Sequence, residues 1–264
     1  MEAWHICPLL KDGKPDDQIV SYRPIILLSN VSKLFKRIIK RTVDDYVEEN
    51  NLLPSHQFGF CNRLSTPHAL HVTNSFITVA LNRKHEVLAQ QLDTEKAFDA
   101  VWFGGLILKL HYFEFPMHLI RLIWNYLHGR YLSGMIDRIR SDWQQIVAGV
   151  PQGSVLSPVL YALLVAAMPA PASNDAGLIN IMFADDQVVL STDNDVKVAE
   201  RRLNDIAEDI HEYCSTWKIK RNAAKSKLLK ITGIKNRLPR RTRTCIKTSA
   251  VLIDDINTES VEKN

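Results

Sequence analysis

The stretch Leu178-Ile179-Asn180-Ile181-Met182-Phe183 is apolar and rich in β-formers, breaks at Ala184-Asp185-Asp186, and resumes at Val188 to Ser191. Two short apolar runs around a compact break read as a β-hairpin, so a pair of carboxylates stands where the chain reverses. A second segment, Glu86 to Asp93, reads as a strand that also ends in a carboxylate. Neighbouring strands of a sheet lie about 4.8 Å apart, so one sheet containing both segments would bring Asp93, Asp185 and Asp186 together.

Three acids so close repel, and their pKa values rise unless divalent cations sit among them; oxygen ligands of this kind suit Mg²⁺ or Mn²⁺. Two such ions, about 3.5–4 Å apart, can activate an attacking hydroxyl and stabilise a leaving pyrophosphate in an in-line phosphoryl transfer. An Asp-Asp pair at a hairpin tip is by itself a common solvated turn, so the rest of the chain has to decide.

The surrounding pattern is mainly helical. Val31, Leu34, Phe35, Ile38, Ile39, Val43, Tyr46 and Val47 recur at helical spacing behind a cap at Ser29 or Asn30, after an opening with turn signals at Asp12-Gly13 and Pro15-Asp16. Ser65-Thr66-Pro67 starts a second helix running to about Leu81. Two more span roughly Leu106 to Phe113 and Pro116 to His128, followed by a polar stretch with a hairpin near Arg138 to Trp143. Gly149-Val150-Pro151-Gln152-Gly153 breaks regular structure before an apolar helix from about Leu156 to Met168. A long amphipathic helix carries Val196, Ala199, Leu203, Ile206, Ile210, Tyr213 and Trp217. Trp102 and Trp124 fit core positions.

With 264 residues and 46% hydrophobic content, the chain can bury a sizeable core as one large domain or two interlocked ones. Four dispersed cysteines, Cys7, Cys61, Cys214 and Cys245, form no CxxC pair and indicate neither a zinc site nor a disulfide framework. The start has no apolar signal core, and the longest apolar run, Val159 to Ala167, is too short to span a bilayer, so no membrane is expected. An intracellular setting, cytoplasm and/or nucleus, is expected. Charge is uneven: between Cys214 and Ile253 stand twelve Lys or Arg residues and no Asp or Glu, a candidate contact for backbone phosphate.

Tyr22-Arg23-Pro24-Ile25 with Leu27-Leu28-Ser29, and Gln57-Phe58-Gly59-Phe60 with Ser65-Thr66, resemble the first and second fingers motifs of the reverse transcriptases of non-LTR (LINE-type, jockey/RTE-like) retrotransposons. Asp93-Thr94-Glu95-Lys96-Ala97-Phe98-Asp99-Ala100-Val101-Trp102 resembles the first catalytic motif, and Phe183-Ala184-Asp185-Asp186 the second. Between them, residues 149–158 read GVPQGSVLSP, close to a full match to another family segment; Trp217-Lys218-Ile219, Asn222 and Lys225-Ser226-Lys227 resemble the lysine-bearing motif. The resemblance covers almost the whole chain, in the family's order.

The resemblance implies an α+β fold, the fingers and palm of a right-hand polymerase, with an antiparallel palm sheet backed by helices. Residues 1–85 would form the fingers region, 86–232 the palm, and 233–264 a basic segment leading toward a thumb that the chain lacks. The function implied is RNA-directed DNA polymerisation on an RNA template with a DNA primer and dNTP, using two Mg²⁺ or Mn²⁺ ions. Asp93 and Asp185 would hold both metals with the Thr94 carbonyl, and Asp186 would sit near the primer terminus. Arg23, Phe98, Gln152, Gly153 and Lys225 would bind the nucleotide: Arg23 gripping the triphosphate, Phe98 excluding a 2′-hydroxyl, Gln152 and Gly153 flooring the pocket, Lys225 neutralising the pyrophosphate. Asp99 reads as a structural cap or loop contact, not a ligand.

The chain departs from the pattern at Cys61-Asn62-Arg63-Leu64, where the family carries Arg, a variable residue and Gly, which bears on template or nucleotide gripping. It ends at Val261-Glu262-Lys263-Asn264, where the primer-grip motif would begin, so a fragment or decayed copy of a longer polyprotein, without an upstream endonuclease, is expected. An RNA-directed RNA polymerase usually has Gly before its Asp pair; Ala184 and Phe98 favour deoxyribose instead. A nucleotide cyclase leaves the GVPQGSVLSP segment unexplained. A nucleic-acid-binding remnant without turnover is separated from an enzyme by measuring primer extension beside binding.

The basic stretch yields a first expectation. Replacing Arg240, Arg241 and Arg243 by Ala lowers the slope of log affinity for RNA against log salt by about three at most, without changing sequence preference. Binding titrations at several salt concentrations measure it, and an unchanged slope makes the stretch a solvated tail.

Overall fold

The computed structural model describes residues 3–18, 21–27, 30–136, 139–171, 175 and 177–233. Apart from Gly233, the expected basic C-terminal segment lies outside the described residues, including Arg240, Arg241, Arg243 and Cys245; so does the candidate cap Ser29. In chain order the elements are β1 (Ala3–Leu10), β2 (Tyr22–Leu27), α1 (Asn30–Glu49), α2 (Thr66–Asn82), β3 (Glu86–Leu92), α3 (Phe103–Tyr112), α4 (Met117–Leu127), β4 (Tyr131–Ile136), β5 (Ile139–Arg140), β6 (Gln144–Gln145), α5 (Ser157–Val165), β7 (Leu178–Phe183), β8 (Asp186–Asp193), α6 (Val196–Thr216) and β9 (Lys227–Ile231). The chain is thus a mixed fold of helices and sheets.

Two compact units share these elements. One comprises Met1–Leu53 and Lys96–Val165, the other Pro54–Glu95 and Ala166–Asn264. The units interleave along the chain, whereas the expected regions 1–85, 86–232 and 233–264 are consecutive.

In the first unit β1 pairs antiparallel with β2 and parallel with β4, and β5 and β6 add to β4. β1 and β2 were not expected, because their prolines, Pro8 and Pro24, pair directly across the ladder and mask the strand signal. Helix α1 carries two apolar stripes. Lys36, Ile39, Val43 and Val47 are its buried set, while Val31, at 80% exposure, Leu34, Phe35 and Ile38 face solvent. Periodicity alone merged the two. Tyr46 then fastens α1 by donating to the Glu114 carbonyl at 2.7 Å. Helix α5 is buried nearly all round, as an apolar helix without a polar face must be, and it stops three residues short of the expected end, before Pro169.

The break at Gly149 serves close packing. Its N–H donates to the Val101 carbonyl at 2.8 Å and the Val150 N–H to the Phe98 carbonyl at 2.7 Å. Gly149 has φ +96°, and a Cβ there would lie 2.6 Å from the Asp99 carbonyl oxygen.

The second unit holds a four-stranded antiparallel sheet in the order β7-β8-β3-β9. Val87, Leu88, Ala89 and Gln90 of β3 are all buried; since successive strand residues face opposite ways, both faces are covered. Val87 and Ala89 pack with Phe58, Ile181, Leu190 and Ala69 and Ala80 of α2. Helix α6, capped by the Asp195 side chain accepting from the Lys197 N–H at 2.9 Å, lies against β8 and β3. It buries Leu203, Ile206, Ile210 and Cys214.

Gly149→Ala should destabilise the protein by roughly 2–4 kcal/mol, combining positive-φ strain with overpacking against backbone. Denaturant unfolding measures the change, and a loss under about 0.5 kcal/mol would mean that residues 98–101 and 149–150 part easily.

Candidate functional site

The hairpin read from the sequence closes through the pair Phe183↔Asp186, leaving Ala184 and Asp185 as its two-residue turn. Ala184 has φ +62°, uncommon for a residue with a Cβ. The turn is held from the side by residues 56–59. The Phe58 N–H donates to the Met182 carbonyl and the Met182 N–H to the His56 carbonyl, both at 2.8 Å. The Gln57 side chain, 1% exposed, accepts from the N–H groups of Gly59 at 2.9 Å and Ala184 at 3.1 Å, and donates to the Ala184 carbonyl at 3.3 Å. A Cβ on Gly59 would come within 2.2 Å of the Ala184 nitrogen.

Asp93 follows directly on β3, one residue beyond the pair Leu92↔Gln187 that sets β3 beside β8. Residues 220–226 grip its backbone. The Asp93 N–H donates to Ser226 Oγ at 3.2 Å, Ser226 Oγ donates to the Asn222 carbonyl at 2.8 Å, and the Asn222 N–H donates to the Asp93 carbonyl at 2.9 Å. Glu95 N–H reaches the Lys220 carbonyl at 2.8 Å. Arg221 donates to Thr94 Oγ1 at 3.0 Å and also to Gln187 Oε1, tying the end of β3 to the start of β8.

Within this unit Asp186, Asp93 and Lys225 all act electrostatically on Asp185. Burial pushes the Asp185 carboxyl above its ordinary value; a backbone hydrogen bond opposes this, Asp186 and Asp93 add to it, and Lys225 counters. Lys225 Nζ lies 3.8 Å from Asp93 Oδ2, a buried oxygen without a hydrogen-bond partner. Among the described residues no three His, Cys, Asp or Glu side chains form a ready metal cage. A carboxylate oxygen without a hydrogen-bond partner, beside a carboxylate whose charge is disfavoured, nevertheless suits a divalent cation of the Mg²⁺ kind, which one or two carboxylates hold together with substrate phosphates.

The other sequence-predicted residues lie in the first unit. Arg23 is exposed on β2. Phe98 is half-buried against Tyr161, ring centroids 5.2 Å apart. Gln152 donates from Nε2 to Asp99 Oδ1 at 2.8 Å, and its carbonyl accepts from the Ile26 N–H at 3.0 Å. Asp99 therefore contacts a loop residue. Gly153 sits at φ +97°, with room for a Cβ 3.5 Å from the Ile26 carbonyl. Trp124 corrects the sequence reading: it is 38% exposed and stacks on His128 instead of entering the core. Gln57, Arg221 and Ser226, which fix the carboxylate-bearing backbone, carried no signal in the sequence beyond lying inside or beside recognised motifs.

A raised Asp185 pKa means that the folded chain holds that proton more tightly than the unfolded one. The penalty is therefore present at neutral pH and disappears as pH falls below the ordinary value of 3.8. Asp185→Asn should melt higher than the parent at neutral pH without divalent cations, with the gain vanishing below that value. Melting curves across pH check this; an equal or lower melting temperature at neutral pH contradicts it.

Residues 11–248 match the family described as reverse transcriptase (RNA-dependent DNA polymerase). The chain is 34% identical over 85% of its length to a probable RNA-directed DNA polymerase from transposon BS of Drosophila melanogaster, and 36% identical over 87% to one from transposon X-element of the same organism. It spans 26% and 25% of those relatives' lengths. A telomerase structure from Candida tropicalis, in complex with a fragment of telomeric RNA, superposes on 99% of this chain and 45% of its own with a TM-score of 0.62 at 10% identity, a likeness of fold. With the motifs in order, the carboxylates gathered at one end of an antiparallel sheet and a match over most of its length, the chain belongs to the reverse transcriptase family.

Proposed function

We propose that this chain is the fingers and palm of a retrotransposon RNA-directed DNA polymerase, extending a DNA primer on an RNA template with dNTPs. The observation that carries the reading is the buried Asp93 Oδ2, which has no hydrogen-bond partner and pairs only loosely with Lys225 at 3.8 Å, in the same electrostatic neighbourhood as Asp185 and Asp186. A cation there would offset the carboxylate repulsion that burial intensifies. Asp93 and Asp185, with the Thr94 carbonyl, would hold Mg²⁺ or Mn²⁺, and Asp186 would lie toward the primer terminus. Bound ions would supply charge stabilisation to the phosphoryl transfer.

The chain's own residues would then position and neutralise. Lys225, exposed and close to Asp93, carries a charge suited to a departing pyrophosphate. Arg23 presents a planar guanidinium that matches phosphate oxygens in pairs. Gln152, with its amide hydrogen turned to Asp99, keeps its side-chain oxygen as an acceptor, and Gly153 gives backbone access. Phe98 would exclude a 2′-hydroxyl by bulk, which rejects the larger substrate without tightening the smaller.

The test is dTTP incorporation on poly(rA)/oligo(dT) with Mg²⁺ or Mn²⁺. Asp93→Ala and Asp185→Ala should each fall to background while remaining folded by circular dichroism. A variant retaining most of the parental rate removes that residue from the site. Parental RNA binding without any incorporation under either metal favours the binding remnant.

A further inference from the structure

We propose that Gln57 is a positioning residue for the metal site, setting the pose of Asp185 through the backbone of Ala184. The inference rests on the assignment of Asp185 as a metal ligand and extends it to a residue that touches neither metal nor substrate. Gln57 bonds both polar backbone atoms of Ala184, its N–H at 3.1 Å and its carbonyl at 3.3 Å. These belong to the two peptide planes on either side of Ala184, the second of which leads directly into Asp185. Fixing both planes fixes the direction in which the next Cα projects its side chain.

The grip is needed because the turn is strained. Ala184 sits at φ +62°, where an alanine has no intrinsic preference to stay. The hairpin pair Phe183↔Asp186 closes the turn from one side only. Gln57 supplies the other side, and its geometry is itself constrained, since its Oε1 also accepts from the Gly59 N–H at 2.9 Å. Gly59 lacks the Cβ that would strike the Ala184 nitrogen, so residues 57–59 can approach closely enough for the amide to reach.

A glutamine is the side chain this geometry calls for. It presents an acceptor that two N–H groups share and a donor for the carbonyl. Glutamate keeps the acceptor and loses the donor; leucine keeps approximate shape and loses both. Partners that orient a metal ligand typically change metal affinity by about 10–100-fold when removed.

The experiment measures Mn²⁺ binding to the full chain by electron paramagnetic resonance titration, alongside melting temperature, for the parent, Gln57→Leu, Gln57→Glu and Asp185→Ala. Gln57→Leu should weaken Mn²⁺ binding about tenfold or more while the fold is retained, and Gln57→Glu should weaken it less. Should the leucine variant fail to fold, Gln57→Glu decides, with any measurable weakening at parental stability supporting the proposal. Parental Mn²⁺ affinity in a folded Gln57 variant, even one that melts lower, overturns it and leaves Gln57 structural. Asp185→Ala binding Mn²⁺ as the parent does would overturn the metal assignment instead, and the positioning role with it.

Discussion

The burial of charge on Asp185, to which neighbouring Asp186 and Asp93 add, is the constraint around which the carboxylate end of the second unit is organised. Asp93, Asp185 and Asp186 sit where β3 ends and β7 turns into β8, and burial raises the cost of charge on Asp185. A chain free to relax would splay such groups apart. Here it is held by backbone hydrogen bonds on both sides: residues 220–226 grip Asp93, and residues 56–59 grip the turn carrying Asp185. Charge held at such a cost makes the arrangement poor for folding alone.

The first unit is built on a different principle. Its candidate nucleotide-binding residues are not charged neighbours but points on chain segments stitched together by close backbone approach. Gly149 permits residues 98–101 and 149–150 to bond across, and the Gln152 carbonyl takes the N–H of Ile26 at the end of β2. Asp99 then orients the Gln152 amide. One loop therefore fixes the backbone around Phe98, Gln152 and Gly153 at once, while Arg23 is exposed on β2.

Much of this organisation was legible in the residues. The hairpin and the helices α1, α2, α4 and α6 followed from local periodicity, turn chemistry and caps, because those signals lie within a few residues of one another. The carboxylates were legible because their chemistry is carried by side-chain identity and their order along the chain matches a family. β1 and β2 were not legible, since their prolines mask the strand signal, and β9 was not, since its partner β3 lies far away in sequence. Nor was the outward stripe of α1, because periodicity reports an apolar face and not what covers it.

The sequence by itself determined the family, the identity of the acids and the approximate place of most helices, since each depends on local pattern or residue type. Only the tertiary structure decided which polar side chains fasten the site. Gln57, Arg221 and Ser226 are ordinary letters until distant segments bring Ala184, Thr94, Gln187 and Asp93 within hydrogen-bond reach. The reason is physical: a hydrogen bond is directional and short-ranged, so its existence depends on a juxtaposition that no single stretch of chain encodes.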